Sequence, residues 1–276
     1  MRTLKLIFKI IIFILLTLLT QVGGIFYLIS FITYNLIHGW TKKKSYQRIL
    51  KFSSFLLIYC LASFTLVPFT AGLLGRVQLP LTATNNLQPL NILTYLLNRN
   101  YVRKELRQTV FEVAAKMNNQ FPGTIINYLD AGFPFFDGFP LLPHLSHSDG
   151  KKLDLSFCYI DIHTGKETNT CPSFIGYGIC EEPLPNEQST TDLCATSGHW
   201  QYNLLRAITP QGNKTNFLLA SNKTSVLITL FASHISVGKI FMEPHLKKRF
   251  NLTSDKIRFQ GCRAVRHDDH IHIQLK

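Results

Sequence analysis

Two long apolar stretches near the N-terminus limit what this chain can fold into. Residues 9–40 and 49–75 are mainly apolar, and each exceeds the roughly 20 residues that cross a bilayer as a helix. We therefore expect a membrane anchor over residues 1–75 with two transmembrane helices, the first tilted, protruding or kinked at Gly23-Gly24. A cleaved signal peptide is the alternative for the first stretch, but its apolar core would be unusually long and no small-residue cleavage site follows.

Charge is distributed unevenly along the 276 residues, whose formal net charge is +13. Residues 1–51 contain eight Lys or Arg, and the first acidic residue is Glu105. The other 21 basic residues face all 16 acidic ones, so much of the excess positive charge flanks the apolar stretches. The positive-inside rule explains this distribution better than nucleic-acid binding, which we do not expect.

The basic loop TKKKSYQRILK, residues 41–51, bears on the membrane topology. Basic loops stay in the cytoplasm, so two spans would place both the N-terminus and the large C-terminal part outside. Two crossings within residues 9–40 would instead turn the C-terminal part inward. The sequence pattern alone leaves this alternative open.

Cysteine usage favours an oxidising compartment for the C-terminal part. Five cysteines lie beyond the second apolar stretch, three of them in the loop-like segment 171–194. This arrangement is typical of a disulfide-stapled loop. We expect one or two disulfides of unassigned connectivity and at least one free thiol, since five is odd. Reduced thiols and a cysteine metal site are the alternatives, and the chain has no CxxC pair.

Beyond the anchor we expect a polar linker over residues 76–91 and one domain over residues 92–276. Helical periodicity runs through residues 92–121 and ends at Pro122-Gly123. A helix followed by strands predicts an α+β domain around a small sheet. Strand-like patterns occur at residues 124–133, 152–162 and the C-terminus.

The C-terminal stretch RAVRHDDHIHIQLK carries three histidines within six residues: His267, His270 and His272. In a strand, His270 and His272 would lie on one face and the following isoleucines on the other. A metal site on a strand needs such a face, although an ordinary half-buried strand shows the same alternation. A zinc site needs about three protein ligands, so others must come from elsewhere in the chain.

The segment LPHLSHSDGKKLDLSF, residues 142–157, supplies the missing ligands. His147 and Asp154 flank a tight turn at residues 148–150, where Gly150 provides the freedom for a positive φ. Strands entering and leaving this turn would bring His147 and Asp154 side by side. With a distant histidine they form a three-ligand set with one position open for water, which is typical of catalytic zinc.

These motifs resemble those of the lysostaphin/D-Ala-D-Ala peptidase/hedgehog group of zinc metallopeptidases. The order His-x6-Asp followed by His-x-His matches the group. The penicillin-insensitive murein endopeptidase branch also has His-x-x-His, a Gly three residues on, and a final His-Asp-Asp-His-aromatic-His. The similarity in element order extends over about residues 100–276 and leaves out the apolar stretches. The matching residues are His144, His147, Gly150, Asp154, His267, Asp268, Asp269, His270 and His272.

The resemblance implies the small antiparallel sheet of that group and a Zn²⁺ ion bound by His147, Asp154 and His272. The chain departs from the branch at Lys152, where a second acidic residue is usual, and at Ile271, where an aromatic is usual. These departures bear on substrate choice more than on zinc binding.

The resemblance also implies that His270 is a general base or transition-state stabiliser, with His144 and His267 lining the site. Zinc chemistry is coherent with these residues, because zinc acidifies water and a neutral histidine exchanges protons near its own pKa. The chain contains no HExxH and no GxSxG, so a zincin is excluded and a serine peptidase is not expected.

We therefore expect a membrane-anchored zinc metallopeptidase that hydrolyses amide bonds in peptidoglycan stem peptides or cross-links. Its catalytic domain would lie on the outer side of the cytoplasmic membrane, and its partners would be the lipid bilayer and a peptidoglycan peptide. One alternative is a zinc-stabilised, non-catalytic module that binds peptidoglycan or protein. Another is a zinc peptidase or amidase that acts on a small peptide or modified protein. The bond cleaved and the oligomeric state stay open.

Overall fold

Helices dominate the first quarter of the chain, and mixed sheets with flanking helices make up the rest. The structure is a computed structural model that describes residues 2–276. Its helices are α1 (Arg2–Thr20), α2 (Gly23–Ser30), α3 (Tyr34–Trp40), α4 (Lys44–Phe64), α5 (Leu66–Leu73), α6 (Ile92–Leu96), α7 (Lys104–Gln120), α8 (Thr190–Thr196), α9 (Leu204–Ile208), α10 (Ser221–Ser233) and α11 (Pro244–Arg249). Its strands are β1 (Arg76–Gln78), β2 (Leu87–Pro89), β3 (Tyr101–Arg103), β4 (Ile126–Tyr128), β5 (Lys152–Ser156), β6 (Tyr159–Asp161), β7 (Glu167–Thr168), β8 (Phe217–Leu219), β9 (Val237–Phe241), β10 (Ile257–Arg258) and β11 (His270–Leu275).

The first apolar stretch is not one helix, contrary to the prediction for residues 9–40. The chain turns at Gln21, whose φ is 65°, and α2 folds back along α1. Gly24 allows this close approach, because a Cβ there would lie 2.0 Å from Oγ1 of Thr17 and 2.8 Å from the carbonyl oxygen of Phe13. The Gly23-Gly24 pair therefore packs against α1 just after a reversal and does not kink a continuous span.

Helix α4 runs antiparallel to α2 and α3, so the N-terminal region makes three passes. Near the loop between α3 and α4, Nζ of Lys51 lies 3.1 Å from Nε2 of His38. Further along, the rings of Phe26 and Tyr59 meet edge to face with centroids 6.5 Å apart. The first pass is α1, the second is α2 with α3, and the third is α4 with α5.

One N-terminal helix, α1, is long and apolar enough to be a membrane span or a signal sequence. The helices α4 and α5 meet the same criterion only when they are taken together, and they are bent by 41° at their junction. The second predicted span, residues 49–75, corresponds to most of this bent pair.

The main sheet has six strands in the order β10-β9-β11-β5-β4-β2. The expected small antiparallel sheet is found only at its centre, because β2 with β4 and β9 with β10 pair in parallel. The sheet is therefore mixed. Core residues from α7 and α10 belong to the same buried cluster as those of the sheet. On α7, the predicted stripe of Leu106, Val110 and Val113 is fully buried, which confirms the amphipathic helix in this part of the chain.

The predicted helix over residues 92–121 is interrupted. Helix α6 ends before Asn98, which adopts a φ of 55° and donates hydrogen bonds from its side chain to Tyr59 and Ser63 of α4. Strand β3 then pairs with β1 before α7 begins. These long-range partners of residues 98–103 override the local helical periodicity.

The segment 76–91, predicted to be a linker, is part of the folded domain instead. Strand β1 pairs with β3, and β2 forms an edge of the main sheet beside β4. Leu79 and Leu87 are fully buried in the main core. The two prolines of the segment mark turns and a sheet edge, where a missing N–H is tolerated.

A disulfide joins Cys194 in α8 to Cys262 in the loop that precedes β11. This confirms the prediction of at least one disulfide, although the bond reaches outside the cysteine-rich segment 171–194. Cys158, Cys171 and Cys180 are free thiols. The disulfide fixes the loop of residues 259–269 against α8, and that loop leads directly into the histidine-rich strand.

Candidate metal centre

Strand pairing places Asp154 and His272 side by side. Asp154 on β5 is the direct cross-strand partner of His272 on β11, and its Oδ1 lies 2.8 Å from Nδ1 of the imidazole. The alternate residues on these strands, including Leu155 and Ile271, point into the core and are fully buried. The predicted two-residue alternation of the C-terminal strand is therefore confirmed, and both faces of β11 are buried.

His147 reaches the same point from an irregular loop, whereas the sequence predicted a strand at this position. Its Nδ1 donates a hydrogen bond of 2.7 Å to the backbone carbonyl of Ala131. Its Nε2 lies 3.2 Å from Oδ1 of Asp154 and 3.1 Å from Nδ1 of His272. The loop therefore supplies an imidazole that is already oriented toward the other two groups.

Gly150 has the positive φ that the turn motif predicted, 70°. A Cβ at this position would lie 1.7 Å from Nη1 of Arg76, so no larger residue fits. Asp149 completes the turn by accepting a hydrogen bond from the backbone N–H of Lys151. The guanidinium of Arg76, the first residue of β1, is thus packed against the loop that carries His147.

The three donor atoms have the spacing that a metal ion requires. Two ligands at roughly 2.0–2.1 Å from a tetrahedral ion are about 3.3 Å apart, and the observed separations are 2.8–3.2 Å. One carboxylate and two imidazoles also match the chemistry of a zinc-type donor set. The buried group His147, Asp154 and His272 could therefore hold a metal ion.

A second buried group, His267, His270 and His272, also lies close enough to hold an ion. It shares His272 with the first group and lacks a carboxylate to balance the charge of a cation. The first group combines donor atoms 2.8–3.2 Å apart with an anionic ligand, so we regard it as the stronger candidate. The Nε2 atoms of His270 and His272 have no hydrogen-bond partner among the described residues, which is unusual for buried polar atoms.

Burial and neighbouring charges shift the pKa values of Asp154, His267 and His272. Burial would raise the pKa of Asp154, but the imidazoles of His147, His270 and His272 hold it well below its ordinary value. Burial lowers the pKa of His272 to about 4 and that of His267 well below 6.5. At neutral pH, the carboxylate and His272 are therefore in the forms that bind metals.

His270 behaves differently from its neighbours on the strand. Burial opposes its charge, but the carboxylates of Asp154 and Asp269 raise its pKa to about 9. Asp269 accepts a hydrogen bond from Nδ1 of His270 and another, of 2.5 Å, from the backbone N–H of Gly178. His270 is thus a positioned proton donor at neutral pH, with its Nε2 3.6 Å from Oδ1 of Asp154.

Several polar residues around the site carried no recognisable signal in the sequence. The hydroxyl of Tyr177 donates a hydrogen bond of 2.8 Å to Oδ2 of Asp154. Asp130 lies 3.0 Å from Nδ1 of His144 and forms an ion pair with Arg99. The sequence pattern predicts a strand around Asp130 and a loop around Tyr177. The contacts of both residues with the site depend on the tertiary structure.

The site opens into a cleft of about 500 Å³. Five histidines that line it come from the two motifs, while its other walls come from α9 and from the loop after Phe259. The remaining wall is largely apolar, and Arg263 is the only permanently charged residue that lines it. Histidines of the site on the cleft wall are His144, His147, His267, His270 and His272.

Comparison with known proteins adds no assignment. No protein-family model matches the chain, and no curated protein matches it significantly.

Proposed function

We propose that this protein is a membrane-anchored zinc metallopeptidase that hydrolyses amide bonds in peptidoglycan peptides. One observation carries the proposal: a buried His147–Asp154–His272 donor set borders a cleft large enough for a peptide. A catalytic zinc site needs three protein ligands and an accessible side, and this arrangement supplies both.

The proposed chemistry assigns separate roles to the histidines. A bound zinc ion would polarise the scissile carbonyl and acidify water. His270, held by Asp269 and facing the cleft, donates a proton to the departing amine or a hydrogen bond to the developing oxyanion. His144, fixed through Asp130, lines the cleft on the other side of Asp154. Tyr177 holds Oδ2 of Asp154, which leaves Oδ1 for the ion.

The cleft favours a substrate with small apolar side chains and a carboxylate. Leu145, Leu204 and Val265 form apolar walls, and no acidic residue lines the cleft to oppose an anionic substrate. The guanidinium of Arg263 is exposed and takes part in none of the ion pairs of the described residues. Peptidoglycan stem peptides combine alanine residues with free carboxylates, so they suit these walls.

The arrangement of the helices supports a location of the domain outside the cytoplasm. The start of α1 and the loop between α3 and α4 lie at one end of the three passes, and the domain lies at the other. All eight Lys and Arg of residues 1–51 thus belong to the half away from the domain. The positive-inside rule then puts that end in the cytoplasm, so this proposal places the N-terminus inside, unlike the two-span expectation, and the domain outside. Two crossings within residues 9–40 do not turn the domain inward, because the basic loop before the last pass stays in the cytoplasm. The disulfide also supports a location outside the cytoplasm, because disulfides form and persist in oxidising compartments.

A non-catalytic zinc module is the second candidate, and burial of the ligands favours it. His147, Asp154 and His272 are only 1%, 0% and 2% exposed, and structural zinc sites are usually closed. The two candidates agree on metal content and differ in turnover.

The test uses the full chain in detergent, because residues 76–91 and the helices pack into the domain. Zinc-loaded protein is incubated with purified cross-linked muropeptides, with and without a chelator, and the products are identified by mass spectrometry. We expect chelator-sensitive cleavage that falls by about 10²–10⁴-fold in His270→Ala while zinc stays bound. His163→Ala is the matched control, since His163 is exposed and outside the cleft. Zinc-loaded protein without turnover would favour the binding module.

Substrate choice is tested separately through Arg263. We expect Arg263→Gln to raise KM about tenfold for a peptide with a free carboxylate, with kcat little changed, because the carboxylate contact is the same in ground and transition states. Arg263→Lys should restore part of the loss. Equal kinetics of wild type and Arg263→Gln on the peptide and on its amide would contradict a role for this residue.

A further inference from the structure

A second large cavity lies among the N-terminal helices, far along the chain from the histidines. It is a groove of about 1220 Å³ between α1 and α4, with side chains of α2 and α3 as its floor. Its walls are apolar over most of their length, with Ile7, Ile11 and Leu16 on one side and Phe52 and Phe55 on the other. The volume exceeds the roughly 300–1,000 Å³ of ordinary small-molecule pockets.

Four permanent cations line the same groove: Lys5, Lys9, Arg48 and Lys51. Lys5 and Lys9 are one helical turn apart on α1, and Arg48 and Lys51 are one turn apart on α4, so each pair shares a face. All four belong to the end of the helices that is farther from the domain. The groove is therefore apolar along its length and positively charged at one end.

No acidic side chain in the described part of the chain neutralises these cations. No Asp or Glu precedes Glu105, and none of the four takes part in an ion pair of the described residues. Two of them contact aromatic rings: Nζ of Lys9 lies 4.7 Å from the ring centre of Phe31, and Nζ of Lys51 lies 4.6 Å from that of Tyr34. Nζ of Lys51 also lies 3.1 Å from Nε2 of His38. An anion from outside the chain would therefore balance the positive charge of these four side chains.

We propose that this groove binds one anionic phospholipid, with its acyl chains along the apolar walls and its phosphate among the four cations. A zwitterionic lipid would leave the excess positive charge unbalanced. A peptide would bring backbone N–H and C=O groups against apolar walls that cannot satisfy them. The positive charge at one end and the long apolar walls both fit an anionic lipid. This lipid would come from the leaflet in which the basic end of the groove lies.

The test measures lipid retention and affinity of the full chain in mild detergent. Native mass spectrometry counts the bound lipids after incubation with phosphatidylglycerol, with phosphatidylcholine or with inorganic phosphate. We expect one phosphatidylglycerol to be retained, at least tenfold weaker binding of phosphatidylcholine, and no comparable binding of phosphate. Equal binding of the two lipids would overturn the proposal, as would equally tight binding of phosphate alone.

Variants distinguish lipid binding in the groove from nonspecific attraction by the net positive charge of the surface. Lys9→Gln/Lys51→Gln should weaken phosphatidylglycerol binding at least tenfold. Lys42→Gln/Lys43→Gln is the matched control, because it removes the same charge from the adjacent loop, which does not line the groove. If both double variants lose the same affinity, the lipid is held by net charge and the proposal fails. Ile12→Trp, which fills the groove without a change of charge, should also lose the lipid, and an unchanged circular dichroism spectrum and Tm show that each variant is folded.

Discussion

The helical region and the domain place apolar and polar side chains in opposite ways. In α1 and α3, large apolar side chains such as Leu4 and Leu36 are 72% and 62% exposed. In the domain, Asp154 and Asp268 are completely buried, and the six histidines around them are at most 5% exposed. Each region breaks the rule that apolar groups lie inside and charged groups outside.

The two departures have different physical causes. Exposed leucine and isoleucine are costly in water and favourable in lipid, so the helical region is suited to an apolar solvent. Buried carboxylates and imidazoles are costly anywhere unless they are paired or bind an ion. The first departure is compatible with a membrane span, and the second with a bound metal ion.

The largest effect should come from removing the buried charge of the domain. Asp154→Asn keeps the shape but removes the anionic ligand, so we expect loss of the bound metal and a fall in hydrolysis of at least about 1000-fold. Metal content by plasma mass spectrometry and turnover of muropeptides check this. Asp161→Asn on β6 is the control, and a variant Asp154→Asn that keeps full metal content would contradict the ligand assignment.

Opening the disulfide should loosen the domain and leave the helical region unchanged. The bond between Cys194 and Cys262 closes a loop with a sequence separation of 68, for which loop-closure entropy gives about 4 kcal/mol. We expect Cys194→Ser/Cys262→Ser to lower the Tm of the domain by roughly 10 °C. Calorimetry in detergent measures this, and Cys60→Ser in α4 serves as the control. An unchanged Tm would mean that packing alone holds the loop before β11.

A charge placed in the exposed apolar face of the helices should affect membrane association and leave the domain unchanged. Ile14 of α1 is 47% exposed, and an arginine near the centre of a span costs about 2.5–3.5 kcal/mol. We expect Ile14→Arg to reduce the membrane-bound fraction while metal binding in detergent persists. Leu155→Arg, which buries the same charge in the core, should abolish metal binding. Unchanged membrane association of Ile14→Arg would argue against α1 as a span.

The smallest effect concerns an ion pair at the edge of the domain. Hydrogen bonds from Arg249 lower the pKa of Glu187 to about 2 from 4.5. Because the folded pKa is depressed, this stabilisation is complete above about pH 4.5 and is lost as the pH falls toward 2. We expect Glu187→Gln to cost about 1 kcal/mol at pH 6 and nothing near pH 2. Unfolding in urea across this range tests it, with exposed Asp255→Asn as the control; a cost independent of pH would contradict it.

Local patterns predicted much of the site and part of the fold. The alternation of His270 to Ile273 required a strand, and Gly150 required a tight turn, because both depend on only a few neighbouring residues. The reversal at Gln21 was not predictable in this way. It depends on the fit of Gly24 against Phe13 and Thr17, and the apolar composition on either side of the turn is the same.

The sequence by itself determined that the chain has an apolar N-terminal region, an α+β domain and two histidine motifs of metal-ligand type. Hydrophobicity, periodicity and turn chemistry are local properties, so they can be recognised in short segments without knowledge of the fold. Only the tertiary structure decided that Asp154 faces His272, that Cys194 pairs with Cys262, and that Tyr177 supports the carboxylate. These contacts join residues far apart in the chain, so they depend on sheet register and loop packing, which no short segment encodes.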